Sequence, residues 1–249
     1  MKRPDLDRAS IAPELRRLER RLMLKGAISL GGLAMLSGCT LDDEPAVERA
    51  LARVMSLTDR AQALLFSRHR LAREFDAARI TRPFPFNAYY GQEDVRTVDP
   101  AGWRLEVSGL VADRRPWSLA QFRALPQKRQ ITRHICVEGW SAIGCWSGVP
   151  LSVFLHRVGA DLRAKYVDFH CFDDYSTSID MATALHPQTI MVLDFDDTAL
   201  PAAYGAPMKI RIPTKLGYKN PKYLAAISVT NRFPGGYWED QGYDWFGGS

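Results

Sequence analysis

The feature of this sequence that most constrains its fold is a series of short strand-like runs, separated by proline and glycine, in the second half of the chain. In the first of them, WRLEVSGL, the apolar residues Trp103, Leu105 and Val107 alternate with polar ones. This period of two is typical of a strand with one buried face. Further strand-like runs cover Lys165–Phe172, Thr189–Phe195, Met208–Ile212 and Tyr223–Thr230.

Only short helices are predicted between these runs. In WSLAQFRALP, Ser118 is a candidate N-cap and Pro126 is a stop signal. In GVPLSVFLHRVG, Pro150 stands near the first turn and Gly159 follows the last one. A third short helix is predicted around Ser178–Leu185. Because strands outnumber helices, we expect an α+β fold with antiparallel or mixed sheets.

The length and charge of the chain limit the number of domains and the class of partner. The 249 residues, of which 46% are hydrophobic, can bury one sizeable core. We therefore expect one main domain, at residues 81–249. The formal net charge is +5, and much of the excess lies between Lys2 and Lys25. A targeting segment explains that distribution better than a nucleic-acid-binding surface, so no nucleic-acid partner is expected.

The N-terminus has the order of a secretory signal. Arg20, Arg21 and Lys25 precede an apolar run, which at about sixteen residues is short for a membrane span of roughly 20. Basic, apolar and small-residue regions in this order resemble a twin-arginine signal. Glu19 and Met23 depart from the usual form of that signal. We expect the protein to be exported to the periplasm by the twin-arginine route.

Cys39 ends the segment LSGC, which resembles a lipoprotein cleavage box. Two interpretations stay open, a lipid-anchored mature chain that begins at Cys39 and an ordinary signal with an incidental cysteine. The signal is assigned to residues 1–39. Residues 40–80, where apolar side chains recur at helical spacing, are predicted to form a helical spacer. The X-Pro steps of TRPFPFNAYYGQED then predict extended chain from about residue 81.

The segment RHICVEGWSAIGCWSGVP contains the cysteine with the most unusual surroundings. Cys136 is followed by Glu138, Gly139 and Trp140, which are not typical of a core strand. Such a thiol could be a small buried side chain, a metal ligand or a nucleophile. Zinc would need about three further ligands at recognisable spacing. The sequence has no Cys-x-x-Cys pair to supply them.

The remaining thiols and histidines leave a redox role open. After Cys39 the chain has three cysteines, an odd number, so at least one thiol is unpaired. A thiol-redox protein would pair Cys136 with Cys145 or Cys171. A nucleophilic Cys136 would instead need a nearby base. The candidate histidines are His134, His156, His170 and His186.

Three motifs in order resemble one enzyme family. They are PFNAYYGQED, CVEGWSAIGCWSGVPL and YGAPMKIRIPTKLGYKNPKYL, and they are similar to the sulfite-oxidase-like molybdopterin-dependent oxidoreductases. The similarity, from about Pro83 to Trp238, is to the bacterial branch that contains a periplasmic methionine-sulfoxide reductase catalytic subunit. It implies a sulfite-oxidase-like molybdopterin-binding fold and a molybdenum–molybdopterin cofactor. It also implies that Cys136 is the catalytic residue and the only protein ligand to molybdenum.

The resemblance further implies a set of cofactor-binding residues. The set is Asn87, Tyr90, Gly91, Cys171, Tyr204, Lys209, Lys219, Asn220 and Lys222. Four of these positions depart from the family, which has an often acidic residue, a threonine, an asparagine and an arginine where this chain has Gly91, Cys171, Tyr204 and Lys209. The lysine at 209 keeps the positive charge that suits a phosphate but loses the bidentate fork of arginine.

The residues after Cys136 limit which reaction and which class of substrate are expected. Sulfite oxidases carry Asn-Arg-Arg there, a cationic site for a dianion, whereas this chain has Gly139, Trp140 and Ser141. The resemblance therefore implies two-electron oxygen-atom transfer with a less charged small-molecule donor or acceptor, and sulfoxide reduction fits. Because the chain has no room for a haem domain, electrons are expected to pass through a separate membrane or periplasmic partner.

No general acid is assigned from the sequence. Asp173 and Asp174, together with the acidic run Asp194–Asp197, are expected in solvated loops. A non-catalytic exported binding module with the same fold stays open as an alternative function. It would be recognised by a pocket that is filled with side chains.

Overall fold

The computed structural model describes Thr58, Gln62 and residues 70–249. These residues all belong to the unit Ser56–Ser249. The predicted signal, with Cys39, and most of the predicted helical spacer lie outside the described residues. In the described part, every helix is too short or too polar to cross a membrane.

Ten strands and three α-helices follow one another in the described residues. The strands are β1 (Arg104–Gly109), β2 (Trp117–Ser118), β3 (Lys128–Ile135), β4 (Ser141–Pro150), β5 (Tyr166–Cys171), β6 (Ser176–Asp180), β7 (Ile190–Phe195), β8 (Thr198–Ala199), β9 (Lys209–Arg211) and β10 (Leu224–Thr230). The helices are α1 (Leu119–Arg123), α2 (Leu151–Arg157) and α3 (Met181–Ala184). Short 3-10 turns cover Ala77–Arg79, Gln92–Asp94, Ala202–Tyr204, Gly217–Lys219 and Glu239–Gln241.

The strands form two five-stranded sheets. The first has the order β2-β1-β10-β5-β6. In it β1 pairs with β10 in parallel, and the other pairs are antiparallel. The second has the order β3-β4-β7-β8, with β9 also on β7, and is antiparallel throughout. One mixed and one antiparallel sheet with short helices confirm the predicted α+β class.

The main hydrophobic core takes side chains from both sheets and from α1 and α2. Trp103, Leu105 and Val107 are all buried in it, which confirms the period of two in this strand. Phe122 of α1 and Phe154 of α2 pack against each other in the same core, with ring centroids 5.0 Å apart. Each such side chain contributes roughly 1.5–3 kcal/mol by its burial. The two sheets and the two helices are therefore held by one core.

The signals that bound the first two helices are confirmed. Ser118 caps α1, because its hydroxyl accepts from the Gln121 N–H (3.4 Å) while its own N–H donates to the Gln121 side chain (2.8 Å). This capping box satisfies two backbone donors that a helix start leaves unpaired. Helix α2 begins directly after Pro150, and Gly159, with φ 63°, follows its last turn.

The third helix is shorter than predicted. Residues 176–180 form β6 instead of the start of a helix, because they pair with β5 along their whole length. The helix begins only at Met181, where the Asp180 carboxylate accepts from the Thr183 N–H (2.7 Å). The sequence also gives no prediction for β3 and β4, the two longest strands. Both are buried on more than one face and so lack a clean alternation.

The last part of the predicted helical spacer is extended. Residues 70–80 contain one 3-10 turn and no α-helix, so the helical prediction is wrong there. The Phe75 N–H donates to the Ile131 carbonyl of β3 (3.0 Å). The Gln188 side chain also accepts from the Ala72 N–H (2.8 Å) and donates to the Ala72 carbonyl (3.0 Å). These bonds to the neighbouring sheet satisfy the backbone and outweigh the helical propensity of the segment.

Candidate active site

Cys136 lies on the turn of the hairpin between β3 and β4. The Cys136 N–H donates to the Trp140 carbonyl (2.9 Å), and the Gly139 N–H donates to the Cys136 carbonyl (3.2 Å). Gly139 has φ 92°, a left-handed conformation that only glycine adopts without steric cost. The side chain of Cys136 is buried. The two longest strands of the fold therefore hold this thiol in one place.

The Cys136 sulfur has two polar neighbours. The Asn87 amide donates to it at 3.3 Å, and Glu138 Oε2 lies 3.6 Å away. Trp140 Nε1 donates to the same Glu138 oxygen at 2.9 Å and fixes it there. Burial, followed by the charge of Glu138, raises the pKa of the Cys136 thiol. A thiol of this kind is a poor free nucleophile, but a bound cation at the sulfur would favour the thiolate.

The other cysteines do not converge on this thiol. Cys145 packs with Ile131 and Ile143, whereas Cys171 belongs to the main core. All three described cysteines are free thiols. Within residues 70–249, no group of three or more Cys, His, Asp or Glu side chains could hold a metal ion. A metal at Cys136 would therefore need most of its ligands from a cofactor, as a pterin dithiolene would provide.

A pocket opens beside Cys136, and four of the nine predicted cofactor-binding residues line it. They are Asn87, Tyr90, Asn220 and Lys222. The first two come from the segment before β1, and the last two come from the loop between β9 and β10. The hairpin turn adds Glu138, and the loop after β5 adds Asp173. Segments that are distant in sequence thus meet at one thiol, and their side chains leave the pocket open.

Asp173 is part of the pocket wall, so its assignment to a solvated loop is wrong. Its side chain is buried, and it accepts a hydrogen bond from the Tyr90 hydroxyl at 3.1 Å. Burial raises the pKa of the Asp173 carboxyl. Lys222 lies beside Tyr90. Its ammonium is 4.8 Å from the Phe86 ring centroid and 5.6 Å from the Tyr90 ring centroid. Burial lowers the pKa of Lys222 to about 8.

A second group of buried cations lies on β9. Lys209 is 6% exposed, and its ammonium is 4.9 Å from the Trp146 ring centroid. Burial lowers the pKa of Lys209 well below its usual value, and the charges of Lys222 and Arg211 add to that effect. In the described part of the chain, no ion pair involves either lysine or Arg211. Burying several positive charges together costs free energy unless an anion compensates them. This group of residues therefore favours an anionic ligand.

Unsatisfied buried donors lie in the same region. His134 is 2% exposed, and both of its ring nitrogens lack a partner among the described residues, as do Trp146 Nε1 and Arg211 Nε. A Cβ added at Gly217, in the pocket wall, would lie 2.8 Å from His134 Nε2. Such donors usually have a partner in a folded protein. A lone thiol, buried cations and unsatisfied donors together fit a phosphate-bearing metal cofactor.

Lys219 and Asn220 mainly hold the loop in shape. Lys219 is fully buried, where it forms an ion pair with Glu239 and donates to the Ser178 carbonyl at 2.6 Å. The Asn220 side-chain oxygen accepts from Arg211 at 3.0 Å and from the Ile212 N–H at 2.7 Å. Asn220 therefore lines the pocket with little hydrogen-bonding capacity left for a ligand, and Lys219 is directed away from it.

Tyr204, Gly91 and Cys171 do not line the pocket either. The Tyr204 hydroxyl donates to the Phe84 carbonyl at 2.7 Å, and its ring packs on Phe195 at a centroid distance of 4.8 Å. Gly91 precedes a 3-10 turn. The Cys171 thiol is buried, and that burial, followed by the charge of Asp173, raises its pKa well above the usual value. These three predicted residues therefore lie outside the pocket lining.

Sequence reasoning missed the aromatic wall of the pocket. Tyr89, Tyr175, Tyr218, Trp238 and Tyr243 all line it. The last two belong to YWEDQGYDWF near the C-terminus, where five aromatic residues fall within ten positions. That density in a glycine-containing segment without strand or helix periodicity was the signal available in the sequence.

Comparison with known proteins shows which family this chain resembles. The model of the family described as "Oxidoreductase molybdopterin binding domain" matches residues 92–238. YedZ1 of Azospira oryzae, provisionally named a subunit of a protein-methionine-sulfoxide reductase, is 61% identical over 92% of this chain and 88% of its own. MsrP of Burkholderia mallei, a protein-methionine-sulfoxide reductase catalytic subunit, is 30% identical over 57% of this chain. This chain spans 48% of that MsrP.

A solved structure supports the fold. The sulfane dehydrogenase SoxCD from Paracoccus pantotrophus aligns with a TM-score of 0.52 and 16% identity, over 55% of this chain and 40% of its own. The predicted sulfite-oxidase-like fold is therefore confirmed. Since the family model covers more than half of the chain and includes the Cys136 turn and the cationic β9, the chain belongs to the molybdopterin-binding oxidoreductases.

Proposed function

We propose that this oxidoreductase reduces sulfoxides, with molybdenum held by Cys136. The cofactor supplies two-electron oxygen-atom transfer, so that a sulfoxide, two electrons and two protons give a sulfide and water. The two curated relatives are both named for methionine-sulfoxide reduction, which supports this direction. The electrons come from a separate partner in the membrane or periplasm.

The charge of the pocket is the observation that favours a neutral sulfoxide over a dianion as the substrate. Among the described residues that line it, Lys222 is the only cation, whereas Glu138 and Asp173 are carboxylates. Lys222 is also half-buried beside the rings of Phe86 and Tyr90 and has a lowered pKa. A dianion such as sulfite would meet no exposed cation beside Cys136, and a carboxylate would face it. A neutral sulfoxide on an apolar group suits this aromatic pocket better.

Each part of the site has a separate task toward the cofactor. Cys136 provides the thiolate for the metal, and the Asn87 amide orients that sulfur from 3.3 Å. Tyr90 and Lys222, which line the pocket, would contact the pterin. Lys209, which is buried but does not line the pocket, would supply positive charge for the phosphate. Because Asn87 and Tyr90 are held by hydrogen bonds to Cys136 and Asp173, and Lys209 lies on β9, the site is pre-organised for the cofactor.

Export to the periplasm by the twin-arginine route is part of the same proposal. A cofactor that is inserted in the cytoplasm requires the holo-enzyme to cross the membrane folded, which this route allows. Arg20, Arg21 and the apolar run after them support it. A lipid anchor at Cys39 is the second element, and one acyl chain alone would give only marginal attachment.

The proposal is tested with the purified holo-protein in two dye-coupled assays. Wild-type protein should oxidise reduced benzyl viologen when methionine sulfoxide or dimethyl sulfoxide is added. It should give little or no ferricyanide reduction with sulfite. Sulfite oxidation with a higher kcat/KM than sulfoxide reduction would contradict the proposed direction and substrate.

Asn87 should be important for holding the metal. Asn87→Ala removes the hydrogen bond to the Cys136 sulfur, and residues of this kind typically cost roughly 10–100-fold in metal affinity or activity. Asn87→Asp should lose more, because a carboxylate would then face a thiolate. Molybdenum content and kcat measured on the purified variants check both. The control is Asn231→Ala, an exposed asparagine that only accepts from the Lys165 N–H; equal losses in Asn231→Ala would refute the role.

Lys222 should destabilise the cofactor-free protein at neutral pH. Its pKa is lowered by burial from 10.5 to about 8. Between pH 8 and 10.5 the unfolded chain thus binds a proton that the folded chain has lost, so this residue's contribution to stability rises with pH across that window. The full change is about 3 kcal/mol at most.

Lys222→Met should remove that pH dependence. The difference in free energy of unfolding between the two cofactor-free proteins should favour the variant below pH 8 and shrink toward pH 10.5. Urea unfolding at a series of pH values measures it. The same variant should retain less cofactor than wild type, because the cation that favours the ligand is gone. A difference in the free energy of unfolding that does not change with pH would contradict the lowered pKa of Lys222.

A further inference from the structure

Four aromatic side chains lie at or beside the pocket, and three of them are exposed. Tyr89, Tyr237, Trp238 and Tyr243 form this group, which we call the aromatic rim. Tyr89 stacks on Tyr237 with ring centroids 4.9 Å apart, and Trp238 packs on Tyr243 at the same distance. Tyr89 is 39% exposed, and Tyr237 and Tyr243 are each 36% exposed. Exposed aromatic groups of this kind mark interaction sites on soluble proteins.

The aromatic rim is continuous with the reaction pocket. Tyr89, Trp238 and Tyr243 line the pocket themselves. Val137, next to the metal thiol, also lines it and is 47% exposed. The apolar surface thus runs from the thiol outward past the mouth, which is further than a small sulfoxide at the thiol would reach. This apolar surface can therefore contact a ligand that is larger than a small molecule.

The C-terminal part of the aromatic rim is held rigidly in place. Glu239, next to Trp238, is fixed by the buried Lys219 and by the Thr177 hydroxyl at 2.6 Å. Asp244, the residue after Tyr243, is also anchored, because its carbonyl accepts from the Tyr218 hydroxyl at 2.6 Å. A surface that is ordered before binding loses less entropy when a ligand arrives.

We propose that the aromatic rim binds the residues that flank the sulfoxide in a flexible polypeptide substrate. This inference rests on the proposed function and adds its specificity-determining residues. Apolar flanking side chains bury against the rim, and sulfur-containing side chains pack favourably on aromatic rings. Acidic flanks are disfavoured, because Glu138 and Asp173 are the carboxylates that line the pocket.

The test compares three substrates with the wild-type holo-enzyme. Two are peptides with one central methionine sulfoxide, flanked by leucine and phenylalanine in one and by aspartate and glutamate in the other. The third is dimethyl sulfoxide, which is too small to extend from the thiol to Tyr237, the rim residue outside the pocket lining. The value of kcat/KM should be about tenfold or more higher for the apolar peptide than for the acidic one.

Tyr237→Ala should weaken this preference, because Tyr237 stacks on Tyr89 in the aromatic rim but does not line the pocket that contains the thiol. For the apolar peptide, kcat/KM should fall about tenfold through a higher KM, with kcat nearly unchanged. For dimethyl sulfoxide, kcat/KM should stay within about twofold. Phe233→Ala is the matched control, since this ring is 54% exposed in the same C-terminal segment but outside the pocket. Molybdenum content and the midpoint of thermal unfolding are measured for each variant.

The outcomes separate the two proposals. Equal losses on all three substrates, or no preference for the apolar peptide in wild type, would overturn the role of the aromatic rim alone. A wild type that reduces no sulfoxide would overturn the proposed function and this inference with it. Tyr237→Ala should fold like the wild type, because the Tyr237 side chain is exposed and contributes little to the core.

Discussion

Replacing Cys136 by serine should abolish both molybdenum retention and sulfoxide reduction. The described residues provide no group of three or more Cys, His, Asp or Glu side chains that could hold a metal ion by themselves, and a serine hydroxyl is a much weaker ligand for a thiophilic metal. The loss should exceed the roughly 10–100-fold typical of residues that only support a metal ligand. Elemental analysis and the viologen assay on the purified variant measure the two effects. The fold itself should remain, since the substitution changes one atom.

Cys145→Ser is the matched control for this prediction. Cys145 is also a buried thiol of the same sheet, but it lies on β4 and its sulfur is 3.8 Å from Asp197. Its variant should keep molybdenum and activity near wild-type levels. If both serine variants lose molybdenum to the same degree, the loss reflects general disturbance of the hairpin, and the assignment of Cys136 as the ligand fails.

Replacing Lys219 by methionine should cause a large loss of stability. Lys219 and Glu239 form an ion pair whose side chains are 0% and 3% exposed. Removal of one partner leaves a buried charge without compensation, which costs about 3–5 kcal/mol. In a domain of this size the thermal midpoint should fall by roughly 10 °C or more. Calorimetry of the variant and the wild type checks the value.

The double variant Lys219→Met with Glu239→Gln separates charge from packing. It removes both charges, and the glutamine can still accept from Thr177, so a large part of the lost stability should return. Arg163→Met serves as the exposed control, because it breaks a pair with Asp161 in which the arginine is 93% exposed. It should leave the midpoint nearly unchanged. A double variant as unstable as Lys219→Met would contradict the buried-charge explanation.

The parts of the fold with a local physical signal could be predicted from the sequence. The alternation of Trp103, Leu105 and Val107 reports one buried face directly, and Ser118 and Pro150 mark helix starts through their own backbone chemistry. Strands β3 and β4 could not be predicted in the same way. They are covered on both faces by parts of the chain that are distant in sequence, so their residues show no simple period.

The candidate site was predictable at its centre and less so around it. The residues after Cys136 are unsuited to a core strand, and the three motifs identify the family. Lys219 and Lys222 are three positions apart in one loop and look equivalent in the sequence. The 3-10 turn Gly217–Lys219 directs the first toward Glu239 and leaves the second in the pocket wall. Only the path of that loop in three dimensions distinguishes them.

The aromatic rim illustrates the same limit. Trp238 and Tyr243 are adjacent to Tyr89 only because the C-terminal segment returns to the start of the domain. No periodicity in the sequence predicts such a contact. The contact depends on long-range hydrogen bonds, such as the one that Trp245 Nε1 donates to the Ser178 hydroxyl at 2.9 Å. Composition could indicate an aromatic surface here, but not its place at the mouth of the active site.

The most direct test of the central claim is the molybdenum and phosphate content of the wild-type protein, purified after export from a host that is supplied with molybdenum. We predict close to one molybdenum and one cofactor phosphate per chain, both lost in Cys136→Ser, because Cys136 and Lys222 line one pocket, Lys209 is buried close to Lys222, and the chain belongs to a molybdopterin-binding family. A well-folded wild-type protein that contains neither would contradict the account, and the binding-module interpretation would then take its place.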